Sequence, residues 1–396
     1  MLARLAYRLL TEVSPRLLVK AATLWVGKGS RALRAWRRRR ARGELFPPFL
    51  FLSLTSACNL RCRGCWIDTR GPVRQLSLDD VEGIIAAGRR HDVSFYTLLG
   101  GEPMVYPHLW QILDCHPDCY FQIITNGMFL TDEACRRFRA LGNVTPLVSI
   151  DGLEAANDQR RGRGVYQAVI EGLRRLKSHK LLYGVATTVT GANFDEVLDR
   201  RYVRQWIELG AMYLWYYVFR PVGADPAPEL CVSRDRMIEL RRRLLQLRRT
   251  EPIIVIDTYW DADGKAVCPA ALGLGYHVGP GGHIEPCPPL SFARETVRDH
   301  QRDLGTTINR SALLREFQSF VAQRTRGCVI LECPDELLAF LRSMGAEDTS
   351  GRDAYAELAA AQPRTSHHLP GEELPEDSRF YRFLKHRLFF GLGGYG

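Results

Sequence analysis

The stretch SACNLRCRGCWID places Cys58, Cys62 and Cys65 within eight positions. The chain has 396 residues, enough to bury a core without disulfide staples. Its eleven cysteines, an odd and unevenly clustered number, do not read as a secreted disulfide framework. Metal-bound or free thiols in a reducing compartment fit better. A structural zinc wants four protein ligands, and iron–sulfur clusters, which soft thiolates suit, ordinarily take four as well. Three thiolates would leave a cubane with one iron open to a small molecule. Cys268, Cys287, Cys328 and Cys333 form a second, more scattered group. Cys115 and Cys119, in DCHPDCY, have no partner pair nearby and read as ordinary thiols, as do Cys135 and Cys231.

These side chains need a scaffold, and from Phe46 the sequence supplies one. Short apolar runs, FLFLSLT, SFYTLLG, FQIITNG, TPLVSID, LLYGVATTVT and AMYLWYYVFR, alternate with amphipathic stretches such as SLDDVEGIIAAGRRH and VYQAVIEGLRRLKSH. Six such strands separated by helices predict a parallel α/β sheet of βα units that curls into a partial barrel, with functional groups at the strands' C-terminal ends. Cys58, Cys62 and Cys65 follow the first strand directly. After about residue 250 the alternation gives way to a Gly- and Pro-rich region. The expected domains are an arm over 1–45, the barrel over 46–250, a cysteine-bearing extension over 251–346, and a polar tail over 347–396 with a basic, aromatic close.

The net charge of +10 is a property of the arm. Residues 1–43 carry twelve Lys/Arg against the single acid Glu12, and the rest of the chain is close to neutral. Leu2, Leu5, Leu9, Leu10 and Val13, then Leu17, Leu18, Ala21 and Trp25, recur at helical spacing. Three readings stay open: the arm packs on its own domain, lies on an anionic membrane surface, or grips RNA through Arg37 to Arg40. It is too interrupted to span a bilayer, and Glu12 and Pro15 break any signal-peptide core. The expected location is the cytoplasm, at most peripheral to the inner membrane face, with nucleic acid the least favoured partner.

Cys, three residues, Cys, two residues, Cys after a first strand resembles the signature of the radical S-adenosylmethionine (SAM) enzymes. GGEP, TNG and SIDG follow in order at the ends of the next three strands. The resemblance implies a [4Fe–4S] cluster on Cys58, Cys62 and Cys65 whose open iron takes SAM. It further implies SAM contacts from Gly100, Gly101, Glu102 and Pro103, from Asn126, from Ser149 and Asp151, and from Arg161 toward the SAM carboxylate. In that family the residue before the third cysteine is commonly aromatic and flanks the adenine. Here it is Gly64, with Trp66 nearby.

Cys268, thirteen residues, Gly282, four residues, Cys287 is similar to the opening of the SPASM and twitch extensions of that family. With Cys328 and Cys333 it implies one auxiliary [4Fe–4S] cluster; a structural zinc on the same four thiolates is the alternative. The implied activity is reductive cleavage of SAM, hydrogen abstraction from a substrate carbon and net oxidation or bond formation, with an external electron donor such as flavodoxin or ferredoxin. Tyr216, Tyr217, Arg220, His277 and His283 are candidates for the accompanying proton chemistry. The resemblance gives substrate classes only. The arm tips the reading toward a lipid or lipid-linked precursor, with a peptide next, although no leader-binding segment is visible at the N-terminus. An RNA-modifying enzyme and a non-catalytic iron–sulfur scaffold are the remaining readings.

Overall fold

The computed structural model describes residues 1–387. The end of the basic, aromatic close, 388–396, lies outside the described residues. The six apolar runs are strands: β1 Phe49–Thr55, β2 Phe95–Gly100, β3 Tyr120–Thr125, β4 Val144–Ser149, β5 Gly184–Val189 and β6 Tyr213–Val218. They pair parallel in chain order. Leu50, Leu52 and Leu54 of β1 are fully buried toward the helices, while Phe49 and Phe51 face the concave side of the sheet and line its cavity. Burial on both faces explains why the runs are nearly continuously apolar. Every strand from β1 to β6 lends residues to one cavity, so the sheet is curled around it.

Local signals set the helix ends. Ser77 and Asp80 form a reciprocal capping box at the start of the helix Leu78–Arg90. Thr131 caps the helix Asp132–Leu141, which ends at Gly142 with φ of 70°. The barrel ends in the helix Arg234–Thr250, which the sequence pattern did not single out.

The sheet is larger than six strands. β7 Ile254–Ile256 adds parallel to β6 at one edge. At the other edge β8 Gly275–Val278 pairs parallel with β1, and β9 Ile284–Glu285 pairs antiparallel with β8. β8 and β9, which lie between Cys268 and Cys287 of the expected extension, therefore form part of the barrel's own sheet. Beyond it, a second apolar cluster gathers Leu313, Phe317, Val321, Leu337 and Leu341. The polar C-terminal stretch does not trail away. Glu376 and Asp257 bracket the fully buried Arg248, and in the helix Arg379–Arg387 the buried Tyr381 accepts a hydrogen bond from Val255 N at 2.8 Å.

The arm comprises α1 (Leu2–Glu12), α2 (Pro15–Lys20), a π-helical stretch Ala21–Lys28 and α3 (Gly29–Ala41). It straps the end of the barrel where the strands begin. Trp25 lies 6.1 Å from Phe95, 5.8 Å from Tyr120 and 6.1 Å from Tyr213, the first residues of β2, β3 and β6. Barrel helices end on that side, and their free carbonyls attract cations. Arg8 donates to the carbonyls of Ile207, Ala211 and Pro252, Arg16 to Ala140, Lys20 to Leu141, Lys28 to Asp118 and Arg39 to His91. Leu5, Val13, Leu17 and Ala21 are buried. Most of the apolar stripe that the sequence offered to a membrane is thus covered by the barrel. Among the described residues no helix is long and apolar enough to cross a membrane.

Candidate active site: two thiol sets on one cavity

The loop after β1 carries Cys58, Cys62 and Cys65 to the mouth of the barrel, where all three line a cavity of about 640 Å³. Two glycines make this placement possible. A Cβ on Gly101 would stand 2.1 Å from Ala57 O, and one on Gly100, at φ of 130°, 2.4 Å from Thr55 O. In place of side chains, Gly101 N donates to Thr55 O at 2.7 Å and Glu102 N to Ala57 O at 2.8 Å, pinning the root of the loop. Gly64, at φ of 66°, leaves room for the Phe219 ring, which a Cβ there would meet at 2.6 Å. The ring from the end of β6 thus packs against the position where an aromatic was expected.

Polar groups behind the wall hold the front. Glu102 is fully buried and does not reach the cavity. Its carboxylate accepts from Thr125 Oγ1 at 2.7 Å, Met104 N at 3.0 Å and Asn126 N at 2.7 Å, tying β2 to β3. Burial, only partly offset by these donors, pushes its pKa up to about 7. Pro103 starts the short turn Pro103–Val105 and also stays behind the wall. Asn126 faces the cavity, donates to Asn59 Oδ1 at 2.7 Å and approaches Cys58 Sγ at 3.8 Å. Asp151 is buried behind Ser149, bonded to Arg160, to Arg161 Nε at 2.6 Å and to Thr188 N at 2.8 Å. Burial alone would raise its pKa, but the two guanidinium charges outweigh that and hold it at about 2. Asp151 therefore positions Arg160 and Arg161, which line the cavity together with Gly100, Gly101 and Ser149.

Cys268, Cys287 and Cys328 line the same cavity. Cys333 does not: it sits beyond the short helix Val329–Glu332 and packs on the second apolar cluster. Arg220 faces the cavity and donates from Nε to Cys328 Sγ at 3.1 Å, with its guanidinium 5.5 Å from the Tyr259 ring centre. The segment from Phe219 to Gly223 thus reaches both thiol sets, since a Cβ on Gly223 would lie 2.3 Å from Cys65 O.

Burial raises the thiols of Cys58 and Cys268 to about 11 and pushes Cys65 and Cys287 up as well, so they ionise when a metal takes the proton's place. Among the described residues no three of His, Cys, Asp and Glu converge on a point fit for a single ion. Thiolates sharing one zinc would lie roughly 3.8 Å apart, from Zn–S bonds of about 2.3 Å. Soft, all-sulfur donor sets of this kind suit iron–sulfur groups, with zinc on four thiolates as the alternative.

The remaining candidates divide by strand alternation. Tyr217 lines the cavity and stacks on Trp215 at 5.3 Å, whereas Tyr216 points behind the sheet and donates to Val197 O at 2.6 Å. His277 is buried under Trp66, bonded to Ser53 Oγ at 2.7 Å and Glu285 Oε2 at 2.5 Å, and does not reach the cavity. His283 lies at the β8–β9 turn, away from the cavity. Tyr216, His277 and His283, which the sequence offered for proton chemistry, thus stand outside the residues that line the cavity. Arg160, Phe219 and Tyr259 are cavity residues that the sequence reading passed over; the strand-end position of Phe219 was the available signal.

Residues 52–200 match the family described as the Radical SAM superfamily. The sporulation killing factor maturation protein SkfB of Bacillus subtilis is 26% identical over 64% of this chain and 64% of its own length. Mycofactocin maturase MftC of Mycobacterium tuberculosis is 29% identical over 59% of this chain and 60% of its own. The chain therefore spans less than two thirds of either relative. SuiB of Streptococcus suis, solved bound to S-adenosylmethionine, shares the fold with a TM-score of 0.61 at 17% identity, over 75% of this chain and 73% of that one. The cysteine loop and the strand-end residues agree with these likenesses: residues 52–200 form a radical SAM domain, and the cysteines beyond it resemble those of a SPASM/twitch-like extension.

Proposed function

We propose that this chain is a peptide-modifying radical SAM enzyme that carries out a net oxidation of its substrate. The observation that carries the reading is that Cys58, Cys62 and Cys65 border the same cavity as Cys268, Cys287 and Cys328. In this reading the first set holds the SAM-binding cluster and the second, with Cys333 as the remaining thiol, the auxiliary one. A cluster and SAM held there would supply radical chemistry able to remove a hydrogen atom from an unreactive carbon.

The chain's own residues bind, orient and exclude water. Arg160 and Arg161, fixed by Asp151, present cations to a carboxylate. Asn126 and Ser149 offer polar contacts at the strand ends, and Phe219 gives the adenine a ring to pack on. Trp215 and Tyr217 make an apolar wall that keeps water from a reactive intermediate.

The peptide class is supported by relatives: SkfB and MftC are named as maturation proteins, and SuiB is also solved bound to its precursor peptide. A lipid-linked substrate loses its reason, because the arm lies at the opposite end of the barrel from the cavity's cysteines. The test is incubation of the reduced enzyme with SAM and the precursor peptide encoded nearest its gene. A peptide lighter by a pair of hydrogens, formed with 5′-deoxyadenosine, is expected. Steady 5′-deoxyadenosine with the peptide unchanged and a nucleotide or lipid consumed instead would overturn the peptide assignment.

A further inference from the structure

The arm has a second apolar surface. Nine large apolar side chains stand exposed among the described residues, and five of them, Leu2, Tyr7, Leu10, Val19 and Val26, lie in the first 26 residues. Leu10 is 73% exposed, Tyr7 69% and Val19 62%. They are not remnants of the stripe that packs on the barrel, which runs through Leu5, Val13, Leu17 and Ala21. Ala3, Tyr7 and Leu10 recur at helical spacing on the outward side of α1, and Val19, Ala22 and Val26 do so farther along. A sixth exposed side chain, Phe383, comes from the helix Arg379–Arg387, which Arg37 joins to α3 by donating to His386 O at 3.3 Å.

The charge around this surface has one sign. Arg4, Arg31, Arg34, Arg38 and Arg40 are exposed, whereas the arm's two acids are paired with arginines, Glu12 with Arg8 at 3.0 Å and Glu44 with Arg42 at 2.8 Å. Half of the arm's cations are consumed by carbonyls and core, as Arg8, Lys20, Lys28 and Arg39 show. Among the described residues the exposed Arg31, Arg34 and Arg38 of α3 have no such bond, and Arg40 lies over the Trp36 ring at 5.5 Å. An apolar strip flanked by arginines, with the arm's acids already ion-paired, is the chemistry of an interfacial helix.

We propose that the outward face of α1, α2 and the π-helical stretch, with the exposed arginines of α3, docks the protein on an anionic lipid bilayer. Docked this way, the protein lies with the starts of its strands toward the membrane, and the cysteine-lined cavity opens on the aqueous side. Substrate then arrives from solution, which separates membrane residence from substrate identity and leaves this inference independent of the peptide reading.

The test uses the full chain with vesicles of phosphatidylcholine alone and of phosphatidylcholine mixed with phosphatidylglycerol, read by co-sedimentation. Two variants alter only exposed side chains: Leu10→Glu with Val19→Glu, and Arg31→Glu with Arg34→Glu and Arg38→Glu. Intact protein should sediment with the anionic vesicles and be released by salt, and each variant should bind about tenfold more weakly or worse, because one reverses three headgroup-facing charges and the other puts carboxylates in place of two apolar side chains. Three results would overturn the proposal: no sedimentation with anionic vesicles, equal sedimentation with neutral ones, or variants that bind as well as the parent. So would a self-association of the parent that the Leu10→Glu, Val19→Glu variant abolishes, or retention that ribonuclease removes, because a second copy or RNA would then be what covers this face.

Discussion

At the scale of residues, the site is built by groups that hold other groups. Glu102 is the clearest case, since its carboxylate binds strands together from behind the cavity wall. Its pKa rises from the ordinary 4.5 to about 7, chiefly through burial. The folded chain therefore keeps a proton there that the unfolded chain gives up at lower pH. The stabilisation is complete below about pH 4.5 and lost as pH climbs through about 7. Glu102→Gln should flatten that window, worth about 3 kcal/mol, in urea unfolding followed across pH; an unchanged slope would show the carboxyl to be ionised throughout. Arg220 is the counterpart at the second thiol set. A cationic donor on a thiolate favours the more reduced, more negative state of any centre bound there. Arg220→Gln should lower the potential of the auxiliary centre by roughly 60 mV, the one-electron equivalent of about 1.4 kcal/mol, in a titration followed by electron paramagnetic resonance. SAM affinity should stay as it was; a loss of SAM binding with no change in potential would move Arg220 to the other site. Gly64→Ala tests the fit with Phe219: with φ of 66° and a Cβ 2.6 Å from the ring, it should lower iron loading on the first thiol set and leave the second intact.

Elements explain which of these groups the sequence could show. Cys58, Cys62 and Cys65, the glycines of GGEP and the strand ends were legible, because each follows an apolar run that is a strand on its own local pattern. Strand alternation, which separates Tyr217 from Tyr216, was legible in principle once β6 was placed. β8 was not, because it is four residues long and pairs with β1, which lies more than two hundred residues earlier. His277 looked catalytic for the same reason: nothing local announces that Ser53, Glu285 and Trp66 enclose it. That the arm packs on its own domain was one of the open readings, but where it packs was hidden, since its cations answer helix ends that are remote in sequence. Arg8 is the test of that role. It is buried and serves three carbonyls together with Glu12, so Arg8→Met should cost about 3 kcal/mol by stranding an acid and several acceptors. Leu10→Ala, on the outward face, should shift the urea midpoint hardly at all. Equal effects would mean that α1 does not hold to the barrel base.

The whole molecule is a curled sheet closed at one end by its arm and opened at the other onto two thiol sets. Leu33 of α3 lines the cavity that the cysteines border, so the arm also furnishes part of its floor. The extension past β7 is not an appendage: β8 and β9 complete the sheet, and the segment from Phe219 to Gly223 packs on Cys65 while Arg220 reaches Cys328. Such an arrangement keeps the two sets at fixed separation around a single ligand space, which is what a reaction using both requires.

The measurement that tests this most directly is iron and acid-labile sulfide per chain in anaerobically prepared protein, beside a variant with Cys58, Cys62 and Cys65 all changed to alanine. Two occupied thiol sets predict about eight irons falling to about four in the variant. About four falling to none would contradict the account, because the thiols of Cys268, Cys287 and Cys328 would then border the cavity without holding a cluster.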